Sequence, residues 1–220
     1  MVEPHHIHWI GAKNPLRYFR GTITYVLRYT TRDVRLFGYT DANWVGNVED
    51  CKSTSGCFFS LGSTSISWMS KKQKSVALST AEVKYIAASV ASCEAVWLQK
   101  LFSELFGFTL DTTMILCDNQ SGIRLSENSV FHDRSKHIDI RYHYIRDMVQ
   151  QGAIRLQHIG TDEQVADILT KPLGKVKFQT FREQLGVVQR PSNEGHVLCI
   201  EFWKLQGGAG YFLEQHMTIG

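Results

Sequence analysis

The sequence predicts an α/β domain with a mixed sheet, and three observations carry that expectation. Short β-prone runs, "RLFGYTDANW", "CFFSLG" and "SISWMS", follow one another from Arg35 and are separated by Gly, Ser and charged turns, as in a meander of neighbouring strands. A long helical pattern opens after them at Ser79. Beyond it, the apolar runs "TTMILCDN" (112–119) and "AIRLQHIG" (153–160) alternate with segments of helical spacing. Strands first, then strands alternating with helices, is the order of a mixed sheet covered by helices.

Each element has a local reason. "KNPLRYFRGTITYVLRYT" (13–30) reads as a basic, aromatic helix followed by extended chain, with Pro15 breaking or starting the helix. Ser79 or Thr80 offers an N-cap, and Glu82, three residues after Ser79, completes a capping box ahead of Val83, Ile86, Ala87, Val90 and Ala91. The pattern runs on through Trp97, Leu98, Leu101, Phe102 and Leu105 to Gly107, a natural stop for this helix or a second one. The run 112–119 suggests a strand buried on both faces and ending at Asp118, with a short helix in "SGIRLSEN". Ile138, Tyr142, Ile145 and Val149 set a helix over 132–152, stopped by Gly152, and "DEQVADILTK" (162–171) reads as a helix halted by Pro172. After Gly186 the periodicity fades, and 190–220 differs in character.

The chain has 220 residues, 43% of them hydrophobic and 11% aromatic, enough for a full core. Its net charge of +3 permits a polyanionic partner without requiring one. No apolar run approaches the roughly 18 residues of a membrane span and the N-terminus lacks a signal-peptide core, so an intracellular protein, cytoplasmic or nuclear, with no membrane partner is expected. The five cysteines (Cys51, Cys57, Cys93, Cys117 and Cys199) are scattered without a CxxC and read as buried free thiols.

Asp41 on the first strand of the meander, Asp118 at the end of a buried strand and Asp167 on the late helix occupy comparable positions. Carboxylates gathered at strand ends can hold two Mg²⁺ about 4 Å apart for in-line attack on a phosphodiester, yet Asp also ends strands and caps helices routinely. The surrounding words are more specific. "GYTDANWVGN", "KSTSGCFFSLGSTSISWMSKKQKSVALSTAEVKYIAAS", "CDNQSGI", "FHDRSKHIDIRYHYIRD" and "HIGTDEQVADILTKPL" resemble, in order and spacing, the ribonuclease H domain of copia-type retrotransposon Pol polyproteins. The lead-in "HWIGAKNPLRYFRGT" is similar to the connection segment between reverse transcriptase and that domain. The resemblance implies a ribonuclease H-like fold with a mixed five-stranded sheet and helices on both faces. It divides the chain into a connection-like lead-in (1–34), the ribonuclease H-like domain (35–187) and an unassigned extension (188–220). It also implies two Mg²⁺ ions, an RNA–DNA hybrid as substrate, and a reverse transcriptase domain of the same element as partner.

Carried over by motif, the resemblance makes Asp41, Asp118 and Asp167 the metal-binding acids. The remaining acid of the family is a helical Glu in "AEAEYIA"; here the same frame reads "AEVKYIA", which puts Lys84 in its place. An ammonium there removes a ligand and sets a positive charge where cations belong, so hydrolysis is expected to be impaired. Lys84 can alternatively stand in for one metal, or point to solvent if the frame is shifted. In the shifted frame Glu82 is the ligand, although two residues along a helix is a rotation of about 200° and Glu82 already suits the capping box. His158 is a candidate for proton transfer or product release, or a plain surface histidine. Asn119 and Gln120 are candidates for the hybrid's sugar edges, or helix caps. Lys71, Lys72, Lys74, Arg134, Lys136 and Arg141 are candidates for phosphate contacts. Trp44 and Trp68 suit either a substrate groove or the core. "HHIH" (His5, His6 and His8) has no completed ligand set beside it and is read as non-metal. Two rival readings remain: a non-catalytic nucleic-acid-binding module, and a decayed fragment without activity.

Overall fold

The computed structural model describes residues 3, 5–29, 35–44, 51–107, 109–127, 136–190 and 199–201, apart from the side chains of 125, 127, 136–140, 142 and 199–201. In chain order the elements are α1 (His6–Thr22), β1 (Tyr25–Arg28), β2 (Leu36–Asn43), β3 (Thr54–Leu61) and β4 (Thr64–Lys72). There follow α2 (Thr80–Phe106), β5 (Thr113–Cys117), α3 (Gln120–Glu127), α4 (Lys136–Gln150) and β6 (Ile154–His158). The 3-10 turns Thr161–Glu163 and Val165–Leu169, then α5 (Lys175–Gln184), β7 (Val187–Gln189) and β8 (Cys199–Glu201), complete the series. Two compact units result, one of residues 30–185 and one combining 1–29 with 186–220.

The larger unit is α/β, with a five-stranded mixed sheet in the order β4-β3-β2-β5-β6. β2, β3 and β4 form the antiparallel meander, and β5 and β6 add to β2 in parallel. This is the ribonuclease H-like arrangement that the sequence motifs imply. α2 begins where Ser79 Oγ accepts the Glu82 N–H at 3.2 Å and ends at Gly107 with φ of 70°, a left-handed conformation that glycine adopts without strain. It is one continuous helix of 27 residues. Its Tyr85, Ala88, Ala91, Ala95 and Leu98 pack with Leu36, Phe59 and Ile115 of the sheet, while Val83, Ile86 and Ala87 form a second cluster with Ala42 and Ala77. Small residues along this face let the helix lie close to the strands.

Several expectations are corrected. Pro15 lies inside α1 without ending it. Its ring removes only the hydrogen bond to the carbonyl four residues back, at Gly11, which is solvent-exposed and can be satisfied by water. β5 is not buried on both faces: Thr113, Ile115 and Cys117 turn inward, but Met114 is 36% exposed. Trp97 and Leu105 of α2 are exposed rather than core. Residues 162–171 form 3-10 turns instead of an α-helix. Cys57 and Cys117 are buried free thiols as expected, whereas Cys51 and Cys93 are exposed. Ile138 and Tyr142 have no described side chain, while Ile145 is buried and Val149 half-buried on α4.

In the smaller unit α1 buries none of its residues, and β1 is the centre of an antiparallel sheet in the order β7-β1-β8. Residues on either side of position 187 therefore join the lead-in strand. The His5 N–H donates to His8 Nδ1 at 3.0 Å, so two of the clustered histidines serve the start of α1.

Candidate functional site

β2 and β5 lie side by side in parallel, with Tyr39 opposite Leu116. Continuing that register carries Asp41 and Asp118 to the same edge of the sheet. Asp167 reaches it from the 3-10 turn Val165–Leu169, which is tied down at three points. Gln164, fully buried, donates from Nε2 to Thr40 O at 3.1 Å and accepts the Ala166 N–H on Oε1 at 3.2 Å. Thr170 Oγ1 donates to Asp41 Oδ2 at 2.7 Å, and Ser70 Oγ donates to Leu169 O at 2.7 Å. Gly56, opposite Asp41 in the ladder, leaves room for this turn to approach.

The acids meet lysines. Lys84 Nζ lies 2.6 Å from Asp118 Oδ2 and 3.8 Å from Asp41 Oδ1. Lys171 Nζ is 2.9 Å from Asp167 Oδ1, and Lys177 Nζ is 3.6 Å from Asp167 Oδ2 and 3.5 Å from Asp162. The side chains of Asp41, Asp118 and Asp167 are 2%, 4% and 0% exposed, and that of Lys84 is 26% exposed. Asp118 Oδ1 and both Asp167 carboxylate oxygens accept no well-directed hydrogen bond, so their compensation is ionic. Burial raises the Asp167 carboxyl above its ordinary range, and the charge of Asp41 adds to this; the Lys171 contact works in the opposite direction and does not win. Burial alone would lower Lys171, but its close ionic contact with Asp167 and the charges of Asp41, Asp167 and Asp118 outweigh it and leave the ammonium favoured.

The carboxylates are therefore already balanced by ammonium groups. Among the described residues, no three His, Cys, Asp or Glu side chains gather closely enough to hold a metal ion. The space between Asp41 and Asp118 is taken by Lys84, and the pair of divalent ions that the resemblance implies does not fit this arrangement.

The remaining sequence candidates fall as follows. The Glu82 carboxylate accepts the Leu78 N–H at 2.9 Å, at the start of α2. His158 ends β6 opposite Cys117, exposed at the same sheet edge. Asn119 accepts the Ile123 N–H on its main-chain carbonyl and donates from Nδ2 to Ala81 O at 3.4 Å, and Gln120 is exposed at the start of α3. Lys71 and Lys72, at the end of β4 and exposed, oppose Ser55 and Thr54, so they project from the edge that carries Asp41; Lys74 follows, also exposed. Arg141 is half-buried on α4. Arg134 and the Lys136 side chain lie outside the described residues. Trp44 is 48% exposed just past β2, while Trp68 is half-buried on β4. Sequence reasoning missed Gln164, Thr170, Lys171 and Lys177. Lys171 alone left a local signal, standing four residues after Asp167 where helical spacing makes neighbours.

The retrovirus-related Pol polyprotein of transposon TNT 1-94 from Nicotiana tabacum is 44% identical over 187 residues, 85% of this chain and 14% of its own length. That of transposon RE2 from Arabidopsis thaliana is 41% identical over 201 residues, 91% of this chain and 14% of its own length. This chain is a homologue of part of the retrovirus-related Pol polyproteins of plant transposons. It spans about one-seventh of the length of these Pol relatives. No protein-family model matches it. Among solved structures it is similar to LC11-RNase H1, isolated from compost, at 16% identity and a TM-score of 0.47, covering 62% of this chain and 93% of that one.

Proposed function

We propose that this Pol-derived domain is an RNA–DNA hybrid ribonuclease by descent whose hydrolytic centre is impaired by Lys84. The observation that supports the reading is the Lys84 ammonium at 2.6 Å from Asp118 and 3.8 Å from Asp41. An active centre of this kind depends on divalent cations, Mg²⁺ in the family, which would supply the activated water and stabilise the leaving oxygen. With Lys84 paired to two of the acids, neither carboxylate is free to take up such an ion. What this chain's own residues retain is the means to meet the hybrid. Lys71, Lys72 and Lys74 offer phosphate contacts beside the acidic edge, and exposed Trp44 offers a stacking face. Asn119, Gln120, Arg141 and His158 are further contact candidates. A reverse transcriptase domain of the same element is the expected partner.

The same charges favour the second reading, a module that binds hybrids without cutting them. Cleavage of a labelled RNA–DNA hybrid in Mg²⁺ and in Mn²⁺ tests both, comparing the unmodified chain with Lys84→Glu and Asp118→Asn. The expected result is no cleavage by the unmodified chain, a gain with Lys84→Glu, and none with Asp118→Asn. Efficient cutting by the unmodified chain, abolished by Asp118→Asn, would overturn the impairment. Hybrid binding that persists in EDTA, with Lys84→Glu still silent, would favour the binding module.

A further inference from the structure

We infer that Lys84 is a tethered counter-ion that allows Asp41 and Asp118 to remain buried together, beside Asp167 with its own lysines, without a divalent cation, making the stability of the domain independent of such ions. This deepens the proposed reading of Lys84 and rests on it for the position of the ammonium.

Three almost fully buried carboxylates converge on one sheet edge. Like charges brought together out of water repel strongly, and such a group stays ionised only beside compensating cations. Lys171 and Lys177 make their close contacts with Asp167, and among the described residues the lysine within 4 Å of both Asp41 and Asp118 is Lys84. Hydrogen bonding offers little substitute. Asp41 receives the Thr170 hydroxyl, but Asp118 Oδ1 and the Asp167 oxygens receive no directed donor. The lysine is also well anchored. Val83 and Tyr85 on either side of it are buried in separate clusters, so the base of its stem is fixed by the packing of α2.

Thermal unfolding of the unmodified chain, Lys84→Met and Lys84→Arg, in EDTA and in millimolar Mn²⁺, tests this. The unmodified chain is expected to melt at the same temperature in both. Lys84→Met, which keeps the length and loses the charge, is expected to melt about 5–10 °C lower in EDTA and to regain part of the loss in Mn²⁺. Lys84→Arg is expected to lie between them and to ignore Mn²⁺. A melting temperature of the unmodified chain that climbs with Mn²⁺, or a Lys84→Met protein as stable as the parent in EDTA, would overturn the inference. If Lys84→Met does not fold, Lys84→Met/Asp118→Asn, which removes the stranded charge as well, should fold; failure of the double variant also counts against it. Hybrid cleavage by the unmodified chain together with melting unmoved by Mn²⁺ would refute the impairment and leave the counter-ion standing. A silent chain whose melting rises with Mn²⁺ would do the reverse.

Discussion

Replacing Gly56 with alanine places a methyl group between the sheet and the turn that carries Asp167. An ideal Cβ at Gly56 would lie 2.7 Å from Thr170 Cγ2, 2.8 Å from Leu169 Cβ and 3.3 Å from the Ala166 carbonyl oxygen. The first two distances are far inside van der Waals contact. Relief by side-chain rotation is limited, because one obstacle is a Cβ fixed to its backbone and another is a backbone carbonyl. The turn must therefore lift, and lifting strains the Thr170 to Asp41 hydrogen bond and the Gln164 to Thr40 bond together. Overpacking of this kind costs typically about 2 kcal/mol, which for a domain of this size lowers the melting temperature by roughly 5 °C. Far-ultraviolet circular dichroism during thermal unfolding reads the change. Gly11→Ala is the matched control, since nothing lies within 4 Å of that position and alanine favours a helix, so its effect should be nil or stabilising. A Gly56→Ala protein that melts within a degree of the parent would show that the turn does not rest on Gly56, and the account of how Asp167 is positioned would fail with it.

Gln164→Leu keeps the volume of the side chain and removes two buried hydrogen bonds, with an expected loss of about 2–4 kcal/mol read as a shift in urea midpoint at unchanged slope. Burial raises the thiol of Cys57 to about 12 and that of Cys117 to about 11, from an ordinary value of 9.0. At pH 8 both should resist iodoacetamide in the folded protein while exposed Cys51 is alkylated, as peptide mass spectrometry would report. The same shifts set a pH dependence. Above pH 9 the unfolded chain releases these protons and the native state keeps them, so stability falls as pH rises from 9 towards 11, by on the order of 1 kcal/mol per unit per thiol. Replacing both cysteines with alanine should flatten that slope, and an unchanged slope would refute the assignment.

The order of elements was readable because it rests on local chemistry. Ser79 and Gly107 bound α2 by capping, Asp118 directly follows the apolar run of β5, and Asp41 lies near the end of the β-prone run of β2. Residues 162–171 misled because helical spacing of Val165, Ile168 and Leu169 is also compatible with 3-10 turns. What decides between them is the Gln164 side chain, which takes the Ala166 N–H and anchors to Thr40, a partner 124 positions away. The small sheet was illegible for a related reason. β7 and β8 are three residues each, too short for a period, and their pairing with β1 is made across most of the chain. At the site, motif reasoning named the acids and Lys84, but Lys177 and Thr170 enter through tertiary placement alone.

The lysines give the site a different economy from that of a metal-loaded centre. A cluster of carboxylates waiting for ions is destabilising until the ions arrive, and that tension is the usual cost of keeping a hydrolytic site open. Here three lysines face three acids, Lys84 shared between Asp41 and Asp118 while Lys171 and Lys177 both lie against Asp167. Lys84 differs from the other two in its position. Lys171, just past the turn, and Lys177, on α5, lie within 4 Å of Asp167, whereas Lys84, on α2, lies within 4 Å of both Asp41 and Asp118. A carboxylate at position 84 would add a fourth negative charge to the edge and return the need for external cations. The single exchange from Glu to Lys therefore acts on stability and on hydrolysis in opposite directions, and a Lys84→Glu protein that gains cleavage should at the same time lose stability in EDTA.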